Sequence, residues 1–186
     1  FHPRKRVHPM NCRSDIHDVI VVGGGPAGIG FIISWLSRHG SSTSKRLLLI
    51  EKSETIGAGR IGQYCISSDS PADSFIKCAD KAIQIFPELA ACAAVQRVVS
   101  RKGEPIELKL AGDMLDEIGK SIFHSSVIDI GLSYTAIGAQ QSDHDGWTVE
   151  YVTPAGNREI AKVRELVLAT GAHPRRSDNA FGHPFD

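Results

Sequence analysis

Residues 16–30 read IHDVIVVGGGPAGIG, and the rest of the chain is arranged around them. Residues 16–22 form a short β-branched run, the pattern of a strand buried on both faces. Three glycines follow at 23, 24 and 25. Pro26 then opens a helical pattern that runs to His39 and stops at Gly40, with proline in the first turn and glycine just past the end. Residues 46–51, RLLLIE, are a second buried strand. The strand–helix–strand unit has the length of a right-handed crossover between parallel neighbours.

The string Gly23-Gly24-Gly25-Pro26-Ala27-Gly28 fits G-x-G-x-x-G. Alone it carries little weight. Here it follows a strand, opens a helix, and is followed about 20 residues later by an acid, Glu51, at the end of the next strand. Each residue then has a physical task. Gly23 permits the tight turn, Gly25 lets a diphosphate approach the backbone, and Gly28 lets the helix pack on the strand. The helix N-terminus offers free N–H groups and a partial positive charge to an anion. Glu51 is placed to accept hydrogen bonds from ribose hydroxyls, and its charge repels a 2′-phosphate. The same string recurs at Gly57-Ala58-Gly59-Arg60-Ile61-Gly62. No strand feeds into it and no clear helix follows. It reads as a loop lying against a cofactor, not as a second nucleotide site.

Farther along, Ser70-Pro71-Ala72-Asp73 looks like a helix start, with Ser as cap and Pro in the first turn. That helix is expected to reach about Phe86, and another follows Pro87 to about Val99. Leu110, Met114, Leu115, Ile118 and Ile122 repeat at helical spacing. A strand is expected at 127–130. Residues 147–152 and 159–163, separated by Pro154-Ala155-Gly156-Asn157, have hairpin syntax. Residues 165–169 read as a further buried strand running into Thr170-Gly171. The expected organisation is a flexible extension at 1–14 and a dinucleotide domain at 15–176 with a helical insertion at about 70–123. Residues 177–186 would begin a following segment.

VIVVGGGPAGIG, LLLIEK and LVLATGAHPRR together resemble the flavoprotein oxidoreductases with two dinucleotide-binding regions. These include glutathione-reductase-like enzymes and flavin-dependent monooxygenases. The resemblance implies an α/β fold: a Rossmann-type parallel sheet, a helical insertion and a small antiparallel meander. It implies FAD as cofactor, held by Gly23, Gly25, Pro26, Ala27, Gly28, Glu51, Lys52, Arg60, Thr170 and Gly171. It also implies NAD(P)H as electron donor, bound by a part of the polypeptide outside this chain that would complete the site. The disulfide reductases of that family carry C-x-x-x-x-C after the second strand, whereas this sequence has only Cys65 there. A dithiol reductase is therefore disfavoured and a monooxygenase-like enzyme is expected. The family's late G-D motif is missing too, since Gly112-Asp113 comes too early and in a helical pattern. The rival reading is a non-catalytic superfamily member, such as the Rab GDP-dissociation inhibitors, that keeps the fold to bind a protein or ligand.

Composition narrows the field further. The 186 residues carry 21 Lys plus Arg and 21 Asp plus Glu, so no strongly basic face for nucleic acid is indicated. The uncharged run at 19–37 contains Gly23, Gly24, Gly25 and Pro26, which suits a turn between two elements better than a membrane span. The four cysteines show neither C-x-x-C nor zinc spacing, and read as reduced thiols of a cytoplasmic protein. No metal is expected. Gln63 and Tyr64 join Arg60 as residues that approach the flavin ring in such folds. His173 is a candidate acid/base, and Arg175 and Arg176 are candidate phosphate contacts. The substrate, a small molecule, and the catalytic residues are not specified by the sequence.

Overall fold

A computed structural model of the chain describes residues 17–40, 43–142 and 146–171. The expected extension at 1–14, and His173, Arg175 and Arg176, lie outside the described residues.

Strand β1 (His17–Val22) leads through the glycine turn into α1 (Pro26–His39) and back to β2 (Leu47–Glu51). The uncharged run at 19–37 is thus split between a strand and a helix. Among the described residues no helix is long and apolar enough to cross a membrane. β1 and β2 pair in parallel, Val19 opposite Leu47 and Val22 opposite Ile50. All five residues of β2 are buried, as its unbroken apolar run requires.

A two-stranded ribbon and three helices follow. β3 (Ser67–Pro71) precedes α2 (Ala72–Ile85), a 3₁₀ segment (Pro87–Ala91) and α3 (Ala93–Val99). β4 (Pro105–Glu107) pairs antiparallel with β3, and α4 (Leu108–Phe123) returns the chain to the sheet. The sequence places a helix cap at Ser70, but Pro71 is the N-cap and Ser70 lies in β3. The pairing explains the shift: main-chain bonds from Leu108 N–H to the Ile66 carbonyl and from Ala72 N–H to the Glu104 carbonyl hold 67–71 extended.

β5 (Ile128–Leu132) joins β2 in parallel, and β6 (Thr135–Ser142), β7 (Gly146–Val152) and β8 (Arg158–Leu168) form the meander. The six-stranded order is β5-β2-β1-β8-β7-β6. The hairpin return and the strand before Thr170-Gly171, read from the sequence as two elements, are one continuous strand. Its first half pairs antiparallel with β7 and its second half pairs in parallel with β1. Beyond Val163 it has left β7, so its far edge opens and Leu168 is 68% exposed, not buried as its apolar run implies.

Two apolar layers cover the sheet. Val19, Val21, Leu47 and Leu49 face a core with Ile29, Ile32, Leu36, Met114 and Ile118 of α1 and α4. Trp35 belongs to that core as well. On the other face Ile20, Val22, Leu48 and Ile50 pack against Tyr134, Val149, Tyr151 and Val163, so the meander folds back over the parallel strands. At the amino ends of the strands, His17 and Arg46 both bond the Asp129 carboxylate. The His17 hydrogen bond, aided by Arg46, holds that carboxyl below the usual carboxylate range. The cleft described below lies at the opposite, carboxyl ends, where ligands of open α/β sheets bind.

Candidate functional site

The turn after β1 is built by glycines with different duties. Gly23 has φ 106°, and a Cβ on it would lie 2.3 Å from the carbonyl oxygen of Ala169. The end of β8 therefore docks directly on the turn, and Ala169 N–H donates to the Val22 carbonyl at 2.8 Å. A Cβ on Gly28 would lie 1.9 Å from the Gly23 carbonyl oxygen, so helix and turn are in backbone contact. Gly25, the N-cap of α1, is different: nothing lies within 4 Å of its Cβ position. The first turn of α1 has no acidic residue and no side-chain cap. Its N–H groups and partial positive charge are thus left for an external anion.

Glu51 closes the other side. It is 9% exposed, and its carboxylate accepts hydrogen bonds from Gly24 N–H and, at 2.6 Å, from Ser53 N–H. Two main-chain donors fix the carboxylate and leave further lone pairs for a ligand. Lys52 beside it is exposed.

The second glycine string lies across this opening. Gly57 N–H donates to the Gly24 carbonyl at 3.0 Å, and a Cβ on Gly59 would sit 3.6 Å from Gly25 Cα. Arg60 begins a 3₁₀ turn at Ile61–Gln63. The space between the two turns is a cavity of about 420 Å³, lined by Gly25, Glu51, Ser53, Arg60, Gln63 and Asp116 among others.

Of the residues expected at a cofactor site, Gly25, Glu51, Arg60 and Gln63 line this cavity. Gly23 and Gly28 stand behind it and shape the turn. Pro26 and Ala27 are exposed at the start of α1. Thr170 and Gly171 follow β8 and are exposed, with Thr170 N 3.2 Å from the Gly23 Cβ position, next to the turn but outside the cavity lining. Tyr64 and Cys65 are exposed outside that lining too. Ser53, Thr55 and Asp116 are lining residues that sequence reasoning missed. Asp116 comes from α4, far away in sequence, and only its place between Gly112 and Gly119 on one helix face marks it. Among the described residues no group of His, Cys, Asp and Glu could hold a metal ion.

Residues 17–183 match the family of the pyridine nucleotide-disulphide oxidoreductases. The chain belongs to this family. No curated protein sequence matches it. Among solved structures, this oxidoreductase-family chain is similar to the reduced ornithine hydroxylase of Pseudomonas aeruginosa. Identity is 18% and the TM-score 0.63, covering 86% of this chain and 40% of that one. It is similar to the FAD-bound cadaverine monooxygenase of desferrioxamine biosynthesis from Erwinia amylovora, at 14% identity and TM-score 0.57, covering 84% and 36%. The bacillithiol disulfide reductase of Bacillus cereus gives 22% identity and TM-score 0.51, covering 83% and 40%. What these share with the chain is the fold, and the chain spans well under half the length of each. The fold class read from the sequence stands: a Rossmann-type sheet of the flavoprotein oxidoreductases, with inserted helices and an antiparallel meander.

Proposed function

We propose that the chain is the FAD-binding portion of a flavin-dependent oxidoreductase. One observation carries the reading: the open Cβ position of Gly25 at an uncapped helix N-terminus, facing the buried carboxylate of Glu51 across one cavity. The fit is chemical as well as spatial. A diphosphate needs N–H donors and no side chain in its path, and Gly25 with the first turn of α1 provides both. An adenosine ribose needs a fixed acceptor, and Glu51 is held by Gly24 and Ser53. In this reading Lys52, Thr170 and Gly171 would contact the cofactor from beside the cavity, and Arg60, which lines it, would bring a cation to it. Bound FAD would supply the two-electron redox chemistry, while the protein orients it and shapes its electrostatics.

Within this class the reading is a monooxygenase-like enzyme reduced by NAD(P)H and acting on a small molecule. The donor and the rest of the site would come from further polypeptide. Cys65 is exposed, and no second cysteine stands at redox spacing from it. Cys65→Ser should therefore leave flavin reduction by a nicotinamide donor essentially unchanged in stopped-flow measurements. Abolished reduction would restore a thiol mechanism. A cytoplasmic location, with no nucleic-acid partner, goes with this reading.

The direct test is the absorbance spectrum of the purified natural protein, which should show the two bands of oxidised flavin. A protein that neither retains nor takes up FAD would defeat the proposal. Glu51→Ala should weaken FAD by about 1.5–3 kcal/mol, the scale of a hydrogen bond to a charged group. An unchanged affinity by fluorescence titration would remove Glu51 from the ribose.

A further inference from the structure

Asp116 stands at the centre of a contact that the sequence did not announce. It lies on α4 with Gly112 four residues before and Gly119 three residues after, all on one helix face. Glycine inside a helix costs about 1 kcal/mol relative to alanine, so two on one face need a reason. The reason is close approach of the loop. A Cβ on Gly112 would lie 2.6 Å from Gly62 Cα, and one on Gly119 would lie 2.2 Å from the Ile56 carbonyl oxygen. The loop backbone is pressed against α4 at both ends of its glycine string. Between these two contacts, Asp116 Oδ1 accepts a hydrogen bond from Ala58 N–H at 2.7 Å. A Cβ on Gly57 would fall 2.0 Å from that same oxygen, so glycine at 57 keeps the bond open. On its far side, Gly57 N–H is bonded to the Gly24 carbonyl.

Resting on the FAD reading above, we propose that Asp116 is a positioning residue for the cofactor. Its carboxylate holds the loop at 57–60 across the diphosphate site, between α4 and the Gly24-Gly25 turn. The charge itself is of no use to the ligand: a carboxylate lining the cavity of a diphosphate repels it. What the side chain contributes is an acceptor for Ala58 and, through it, the placement of Gly59 and Arg60. An asparagine supplies the same acceptor without the repulsion, whereas an alanine supplies nothing.

The experiment compares wild type, Asp116→Ala and Asp116→Asn of the natural full-length protein in the apo form. FAD, ADP-ribose and adenosine are titrated separately, and hydrogen exchange of the Ala58 amide is followed. Asp116→Ala should weaken FAD and ADP-ribose about 10-fold, the value of one charge-assisted hydrogen bond acting through the loop. It should leave adenosine, which has no phosphate, unaffected, and Ala58 should lose protection. Asp116→Asn should recover both phosphate ligands to within about 3-fold. Equal weakening of all three ligands in both variants would mean a merely structural role and overturn the proposal. So would wild-type affinities in Asp116→Ala. If wild type takes up neither FAD nor ADP-ribose, the cofactor reading itself fails, a result distinct from tight wild-type binding that Asp116→Ala does not alter.

Discussion

Gly25→Val is expected to lower FAD affinity by about 30- to 2,000-fold while the fold survives. The loss follows from position. The valine side chain would occupy the open space in front of the α1 N-terminus and displace the diphosphate from two or three N–H donors at about 1–1.5 kcal/mol each. The fold survives because the residue is already in a conformation any amino acid adopts, φ −76° and ψ −168°, with no atom within 4 Å of its Cβ. Far-UV circular dichroism and the melting temperature should be near those of wild type, and flavin titration should show the affinity weakened by that factor. Stoichiometric flavin in this variant would end the assignment of the turn.

Two residues away the outcome reverses. Gly23→Ala should destabilise the protein by about 3 kcal/mol or more. A left-handed φ of 106° on a residue with a side chain costs about 1–3 kcal/mol, and over-packing adds about 1–3. The new methyl would meet the Ala169 backbone, which cannot rotate away as a side chain would. For a chain of this size the melting temperature should fall by about 6–12 °C. An unchanged melting temperature would show that the end of β8 does not dock on the turn. The adjacent string of glycines thus separates into one that shapes the protein and one that faces the ligand.

That separation was half legible in the sequence. The turn, the acid at the end of β2 and the apolar strands announced themselves because each rests on local chemistry: missing Cβ atoms, β-branched runs, proline and glycine at helix ends. The glycine string at 57–62 reads as a loop lying against a cofactor, and the structure lays it against the fingerprint turn itself, Gly57 N–H on the Gly24 carbonyl. What failed to show is what depends on distant partners. β3 is Ser-Ser-Asp-Ser-Pro, a run of turn formers held extended by β4 and by the main chain of Glu104 and Leu108 on either side of it. β6 is exposed along most of its length and has a register shift between Ala136 and Gly138, so no alternation marks it. Asp116 reaches the cavity from a helix whose apolar repeat describes only its buried face. The break imagined near Arg164 in β8 came from a change in pattern where the strand passes from one partner to another.

That passage between partners has a consequence for synthesis. The glycine turn leaves the ribosome well before the strand that seats against it, which lies roughly 150 residues later. At about 5–20 residues per second the turn waits roughly 7–30 s for Ala169 to be made. Until then one edge of β1 stays open, a row of main-chain donors and acceptors flanked by Val19, Ile20, Val21 and Val22 and able to pair with another nascent copy. Binding of a chaperone during that interval would protect yield, and slowing translation after residue 60 should increase aggregation more than slowing it after residue 170.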